Sequence, residues 1–155
     1  MSRLSDEMKA LVERQRLGFV ATVCPDGTPN LSPKGTVCVL DDEHLIFADI
    51  RSPGTVANLR ANPHVEINVV DHFLRKGYRF KGTARVLDAG DDFVRHVAFF
   101  SNRGMIDAPT RIRAIVIVQV DEVRPLISPG YDRLADEASM RGYWLKYYVG
   151  ETGAR

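Results

Sequence analysis

Apolar positions recur at two spacings along the chain, and the change from one to the other outlines the elements. Leu4, Met8, Leu11 and Val12 stand at helical intervals among charged residues. This predicts a helix over 5–16, with Ser5 as its cap and Asp6-Glu7 at the positive end of its dipole. Phe19 to Val23 is apolar and β-branched, Pro25-Asp26-Gly27 is turn chemistry, and a strand-like run from Asn30 to Leu40 follows, so the first two strands read as a hairpin. After the polar turn Asp41-Asp42-Glu43, Leu45 to Ala48 reads as a third strand. Val65 to Val70 and Tyr78 to Val86 alternate at period two around the loop Asp71 to Gly77, which predicts two antiparallel strands. Gly90 to Phe100 reads as a helix with Phe93, Val97 and Phe100 on one side. Ile112 to Val120 is the most β-branched run and reads as a strand covered on both faces. Past Pro125 the periodicity fades. Leu134 to Met140 reads as a further helical turn before the aromatic stretch Tyr143 to Tyr148.

The segment Asp49 to Pro63 carries the most chemistry. Ser52 suits a helix N-cap, Pro53 suits the first helical position, and Gly54 with Thr55 leaves amides and a hydroxyl open to an oxyanion. Arg51 adds a positive charge just outside, and Asn62-Pro63 stops the helix after about two turns, because the residue before proline is pushed out of the helical region. These residues serve a phosphate site or an ordinary capped strand-to-helix connection equally well.

Six strands joined mostly by short turns, with helices between the third and fourth and between the fifth and sixth, predict a mainly β fold: a small antiparallel barrel. The first three strands follow too closely for the crossovers a parallel sheet requires. A length of 155 residues with 45% hydrophobic content suits one globular unit over 1–155: a core over about 17–126, the N-terminal helix, and an aromatic C-terminal segment 127–155. A net charge of +1 without a block of one sign lacks the basic footprint of a nucleic-acid binder. No apolar run approaches the roughly 20 residues of a membrane span, and a soluble, cytoplasmic protein is expected.

Several segments in order resemble the pyridoxamine 5′-phosphate oxidase-like FMN-binding split-barrel family. They are Gly18 to Val23, Asp26 to Asn30, Ser32-Pro33-Lys34-Gly35-Thr36, Phe47-Ala48-Asp49, Asn58 to Pro63 and Tyr78 to Gly82. The resemblance covers about 17–126 and implies a six-stranded split barrel and a homodimer with FMN between subunits. It places the flavin phosphate at Arg51, Ser52 and Thr55, and the ring along Lys34, Gly35, Thr36, Ala48 and Asp49. Lys34 or Arg79 would be the cation at the pyrimidine end, where it stabilises negative charge in the reduced ring; the other reading of each is a solvated strand residue, which for Arg79 fits equally well. The vitamin-synthesising members carry adjacent basic residues before the helix, where this chain has Ser52-Pro53-Gly54-Thr55. Beyond Leu126, only Arg141-Gly142-Tyr143-Trp144 loosely matches their substrate-binding segment. FMN binding is therefore expected ahead of pyridoxamine 5′-phosphate oxidation.

The implied function is an FMN-dependent oxidoreductase passing hydride or electrons between reduced nicotinamide and an unidentified acceptor. The alternatives are a non-catalytic flavin-binding or stress-related module, and a deazaflavin or haem binder. No residue is assigned to acid–base catalysis. His44, His64, His72 and His96 lack metal spacing and read as surface or loop residues, so no metal is expected. Cys24 and Cys38 read as half-buried strand residues.

Overall fold

In a computed structural model, residues 3–133 and 136–150 are described. The elements are α1 (Asp6–Gln15), β1 (Gly18–Val23), β2 (Pro29–Lys34), β3 (Cys38–Val39), β4 (His44–Asp49), α2 (Pro53–Ala61), β5 (His64–Asp71), β6 (Lys76–Leu87), α3 (Gly90–Asn102), β7 (Ala114–Ile127) and α4 (Glu137–Gly150). The strands form one antiparallel sheet in the order β2-β1-β5-β6-β7-β4-β3.

Seven strands stand where six were expected, because the run Asn30 to Leu40 is broken at residues 35–37. Its first half pairs with β1 and its second with β4, and these halves are the two edges of the sheet. Since they are consecutive in the chain, residues 35–37 join one edge to the other and curl the sheet into a split barrel. At this corner the Thr36 hydroxyl replaces a ladder rung: it donates to the Ala48 carbonyl at 3.1 Å and accepts the Ala48 N–H at 3.0 Å.

The barrel interior is filled by Val20, Phe47, Ile67, Phe80 and Val118, with Leu4, Leu11 and Val12 of the N-terminal segment packed against them. A second cluster lies outside β4 and β7, where Ile46, Ala48, Ile115 and Ile117 meet Phe100 of α3. Two covered faces explain the continuous apolar run in β7. Ser5 caps α1 as expected, accepting the Met8 N–H at 3.3 Å. Where β6 slips its register against β7 between Lys81 and Gly82, a Cβ on Gly82 would come within 2.1 Å of the Gln119 carbonyl oxygen, so only glycine fits.

Four expectations are corrected. The β7 ladder runs through Pro125 to Ile127, and α4 spans Glu137–Gly150, taking in the whole aromatic stretch; Leu134 lies outside the described residues. His96 is not a surface residue: it is buried in α3 with Nδ1 at 2.6 Å from the Asp92 carbonyl oxygen. Cys38 is fully buried, not half-buried.

Candidate functional site

The site forms where β4 ends and the chain turns into α2. The Asp49 carboxylate accepts the Ser52 N–H at 2.7 Å, bending the chain into the helix, and Pro53 at the first helical position has no N–H to satisfy. The Val56 N–H reaches the Ser52 carbonyl at 3.4 Å, while the Gly54 and Thr55 amides meet no acceptor among the described residues. The helix is held to the barrel by Val56, Leu59 and the buried Asn58, whose amide donates to Thr22 Oγ1 at 3.0 Å and to Cys24 Sγ at 3.6 Å.

Ser52 occupies the N-cap position without a side-chain capping bond. Its hydroxyl instead accepts a hydrogen bond from the Lys34 ammonium, and a bond from a charged donor is stronger than a cap to a neutral amide. Lys34 lies on the inner face of β2, opposite Gly18, and only 5% of it is exposed. Its ammonium also donates to Ser32 Oγ at 2.6 Å and makes no ion pair among the described residues. Burial pushes its pKa below the ordinary lysine range, and the negative Asp49 opposes that shift. Thr55, 2% exposed, has a buried hydroxyl with no hydrogen-bond partner among the described residues. Buried polar groups are normally satisfied, and a buried charge normally meets a counter-charge.

A desolvated ammonium, two open amides and an orphaned hydroxyl thus converge on one helix N-terminus. Such a set is rich in donors and short of acceptors. Its chemical complement is an anion with several oxygens, and a phosphate monoester fits that donor set.

The expected residues divide into two groups. Lys34, Asp49, Ser52 and Thr55 come together; Arg51 is exposed beside them, its side chain without an ion pair or hydrogen bond among the described residues. Thr36 and Ala48 lock the adjoining corner. Gly35 is exposed there, and a Cβ on it would meet only the Arg16 carbonyl oxygen at 3.9 Å, so its own fold does not require a glycine. Arg79 is not brought to this cluster: it lies on the outer face of β6, paired to Glu66 at 2.8 Å. Lys34 stands beside Ser52, at the phosphate end of the expected site. Ser32 was missed, although its place two residues before Lys34 puts both on one strand face. No cluster of metal-ligating side chains occurs among the described residues.

A curled antiparallel sheet, split at one seam and met there by a helix N-terminus, defines the split-barrel class. The chain belongs to the pyridoxamine 5′-phosphate oxidase family, whose model matches residues 4–124. An uncharacterized protein of Methanocaldococcus jannaschii is 31% identical over 91 residues, 57% of this chain, and the chain spans 60% of that relative's length. HupZ of Group A Streptococcus superposes with a TM-score of 0.70 and 32% identity, over 81% of this chain and 95% of that one. A candidate pyridoxamine 5′-phosphate oxidase from Lactobacillus delbrueckii follows at 0.67 and 26%, over 80% and 95%. The fold alone is shared with an FMN-binding protein of Syntrophomonas wolfei (17% identity), an F420 reductase (22%) and the heme storage protein HutZ of Vibrio cholerae (21%). Members of this fold therefore take FMN, F420 or haem.

Proposed function

We propose that this chain is an FMN-binding flavoprotein, and an oxidoreductase passing hydride or electrons between a reduced nicotinamide and a small acceptor. One observation carries the reading: the buried Lys34 ammonium, held between Ser32 and Ser52, beside the orphaned Thr55 hydroxyl and the open Gly54 and Thr55 amides. A flavin's terminal phosphate supplies the acceptors this set lacks. Bound flavin supplies the hydride chemistry. The chain's part is to hold the phosphate and, through the Thr36 corner, to fix the edge against which the ring would lie. The lack of an acid–base pair in the sequence agrees with chemistry carried by a cofactor.

A homodimer is part of this proposal. Phe19 and Val23 on the outer face of β1 are 37% and 38% exposed, and Leu31 of β2 is 63% exposed, which makes an apolar strip suited to a second copy.

The test is the absorbance spectrum of the purified protein, followed by titration with FMN. Flavin bands and a rise in melting temperature on FMN addition are expected, since a ligand of the folded state stabilises it by mass action. A colourless protein unaffected by micromolar FMN would overturn the reading, and a Soret or deazaflavin band would replace it. Anaerobic mixing of the loaded protein with NADH or NADPH then separates an oxidoreductase, which bleaches, from a binding module, which does not.

A further inference from the structure

The turn that joins β5 to β6 breaks a local rule. Asp71 closes it: its Oδ1 accepts the Phe73 and Leu74 N–H groups at 2.9 Å, and its carbonyl accepts the Arg75 N–H at 2.7 Å. This leaves Arg75 at φ +53°, in the left-handed region that glycine or asparagine takes most readily. The Arg75 Nε is also buried with no hydrogen-bond partner among the described residues. An arginine at this position carries two local costs, and such a residue persists where the surrounding structure makes use of it.

The element that uses it is α4. The Arg75 guanidinium lies 3.5 Å from the centre of the Trp144 ring, and its Nη2 donates to the Tyr148 hydroxyl at 2.9 Å. Phe73 of the same turn meets the Tyr148 ring edge-on, with centroids 6.1 Å apart. Two ion pairs add to the contact, Lys76 with Glu137 at 3.0 Å and Asp71 with Arg141 at 3.7 Å. Apolar packing contributes little. Met140 is the buried residue of α4, Trp144 is half-buried, and Tyr143, Leu145 and Tyr147 are exposed. A helix held by one turn, through ring and polar contacts, opens at a lower free energy than the core does.

Both ion pairs land on the lining of a cavity. A space of about 230 Å³ lies between α1, this turn and the end of β7, and Leu11, Leu74, Leu126, Asp71, Lys76 and Glu137 belong to its walls. Glu137 comes from α4, and Arg141 of α4 sits against Asp71, whose side chain is only 4% exposed.

We propose that α4 is a strap that opens from the intact barrel as one unit, with Arg75 as its latch and the cavity beside α1 as the space it closes. Opening takes Glu137 out of the cavity wall and parts Arg141 from Asp71.

The deciding variant is Arg75→Gly. Glycine suits φ +53°, so a residue that served only the turn would be replaced without loss. Trp144 is the sole tryptophan of the chain, and its emission reports the contact directly. In Arg75→Gly the emission is expected to shift to the red and amide exchange across α4 to quicken about tenfold or more, while exchange in β5 and β6 and the melting temperature do not fall behind wild type. Leu11→Cys, at the buried floor of the cavity, is added to wild type and to Arg75→Gly, with melting temperature verifying that each folds. Its thiol is expected to label about tenfold faster in the Arg75→Gly background, with peptide mapping separating it from Cys24. Unchanged emission and α4 exchange in Arg75→Gly overturn the latch. Equal acceleration of exchange in α4 and in β5 and β6 overturns the strap, because α4 then opens only with the core. An unaltered labelling rate overturns closure of the cavity.

Discussion

At the scale of single residues, Lys34 and Thr55 carry the proposed anion site, one as a buried ammonium held by two serine hydroxyls and the other as a buried hydroxyl without a partner among the described residues. Replacing Lys34 by Met keeps much of the volume and removes the charge. FMN affinity is expected to fall by ten- to a hundredfold, about 1.4–2.8 kcal/mol, measured by quenching of flavin fluorescence. The same lysine predicts the pH dependence. Its folded pKa lies below the unfolded value, so between the two the unfolded chain binds more protons, and its contribution to stability becomes less unfavourable as pH rises through that window. The proposed phosphate contact uses the protonated form, so FMN affinity is expected to drop on the alkaline side below the ordinary lysine range. It drops again in acid as the phosphate loses its second charge near about pH 6. Asp49→Asn, which keeps an acceptor for the Ser52 amide, removes the charge that favours the ammonium and is expected to move the alkaline limb to lower pH. The two cysteines make a separate contrast. Burial raises the Cys38 thiol to about 12, while Cys24 is half-buried, so a thiol reagent is expected to label Cys24 in the folded protein and Cys38 only after denaturation, as read by mass spectrometry.

At the scale of elements, α2 is short and depends on its anchor. Asn58 bridges it to β1 through Thr22 and Cys24, and Asn58→Ala leaves the buried Thr22 hydroxyl without that donor. A loss of about 1–3 kcal/mol is expected in urea unfolding, with FMN binding weakened as the helix N-terminus loses its fixed position. The Thr36 corner behaves differently. Thr36→Val conserves shape but deletes both bonds to Ala48, and the short β3–β4 ladder beside this corner should open first, visible as faster amide exchange at Ala48.

At the scale of the whole molecule, the seam matters most, because the site lies where the two edges of one sheet are brought together. Lys34 belongs to the strand that ends one edge and Ser52 follows the strand next to the other, so their contact forms only in the curled sheet. Bound FMN should therefore stabilise the barrel globally: at a hundred times its dissociation constant the gain is about 2.7 kcal/mol, measurable as a shift in the calorimetric melting temperature. The outer strip of Phe19, Val23 and Leu31 belongs to the same scale, and light scattering on the eluting protein tests the proposed dimer.

Local pattern alone determined α1, α2 and α3, the alternating strands β5 and β6, the twice-covered first half of β7 and the helix start at Pro53, because side-chain period and capping chemistry depend on near neighbours. The break at residues 35–37 was illegible, since Gly35 and Thr36 sit in an unbroken β-like run and the corner exists only where Thr36 reaches Ala48 across the barrel. Arg79 and Lys34 looked alike as strand cations. Only the tertiary structure turned one outward to Glu66 and buried the other against Ser52, because which face of a strand becomes the interior is decided by the strands that close around it.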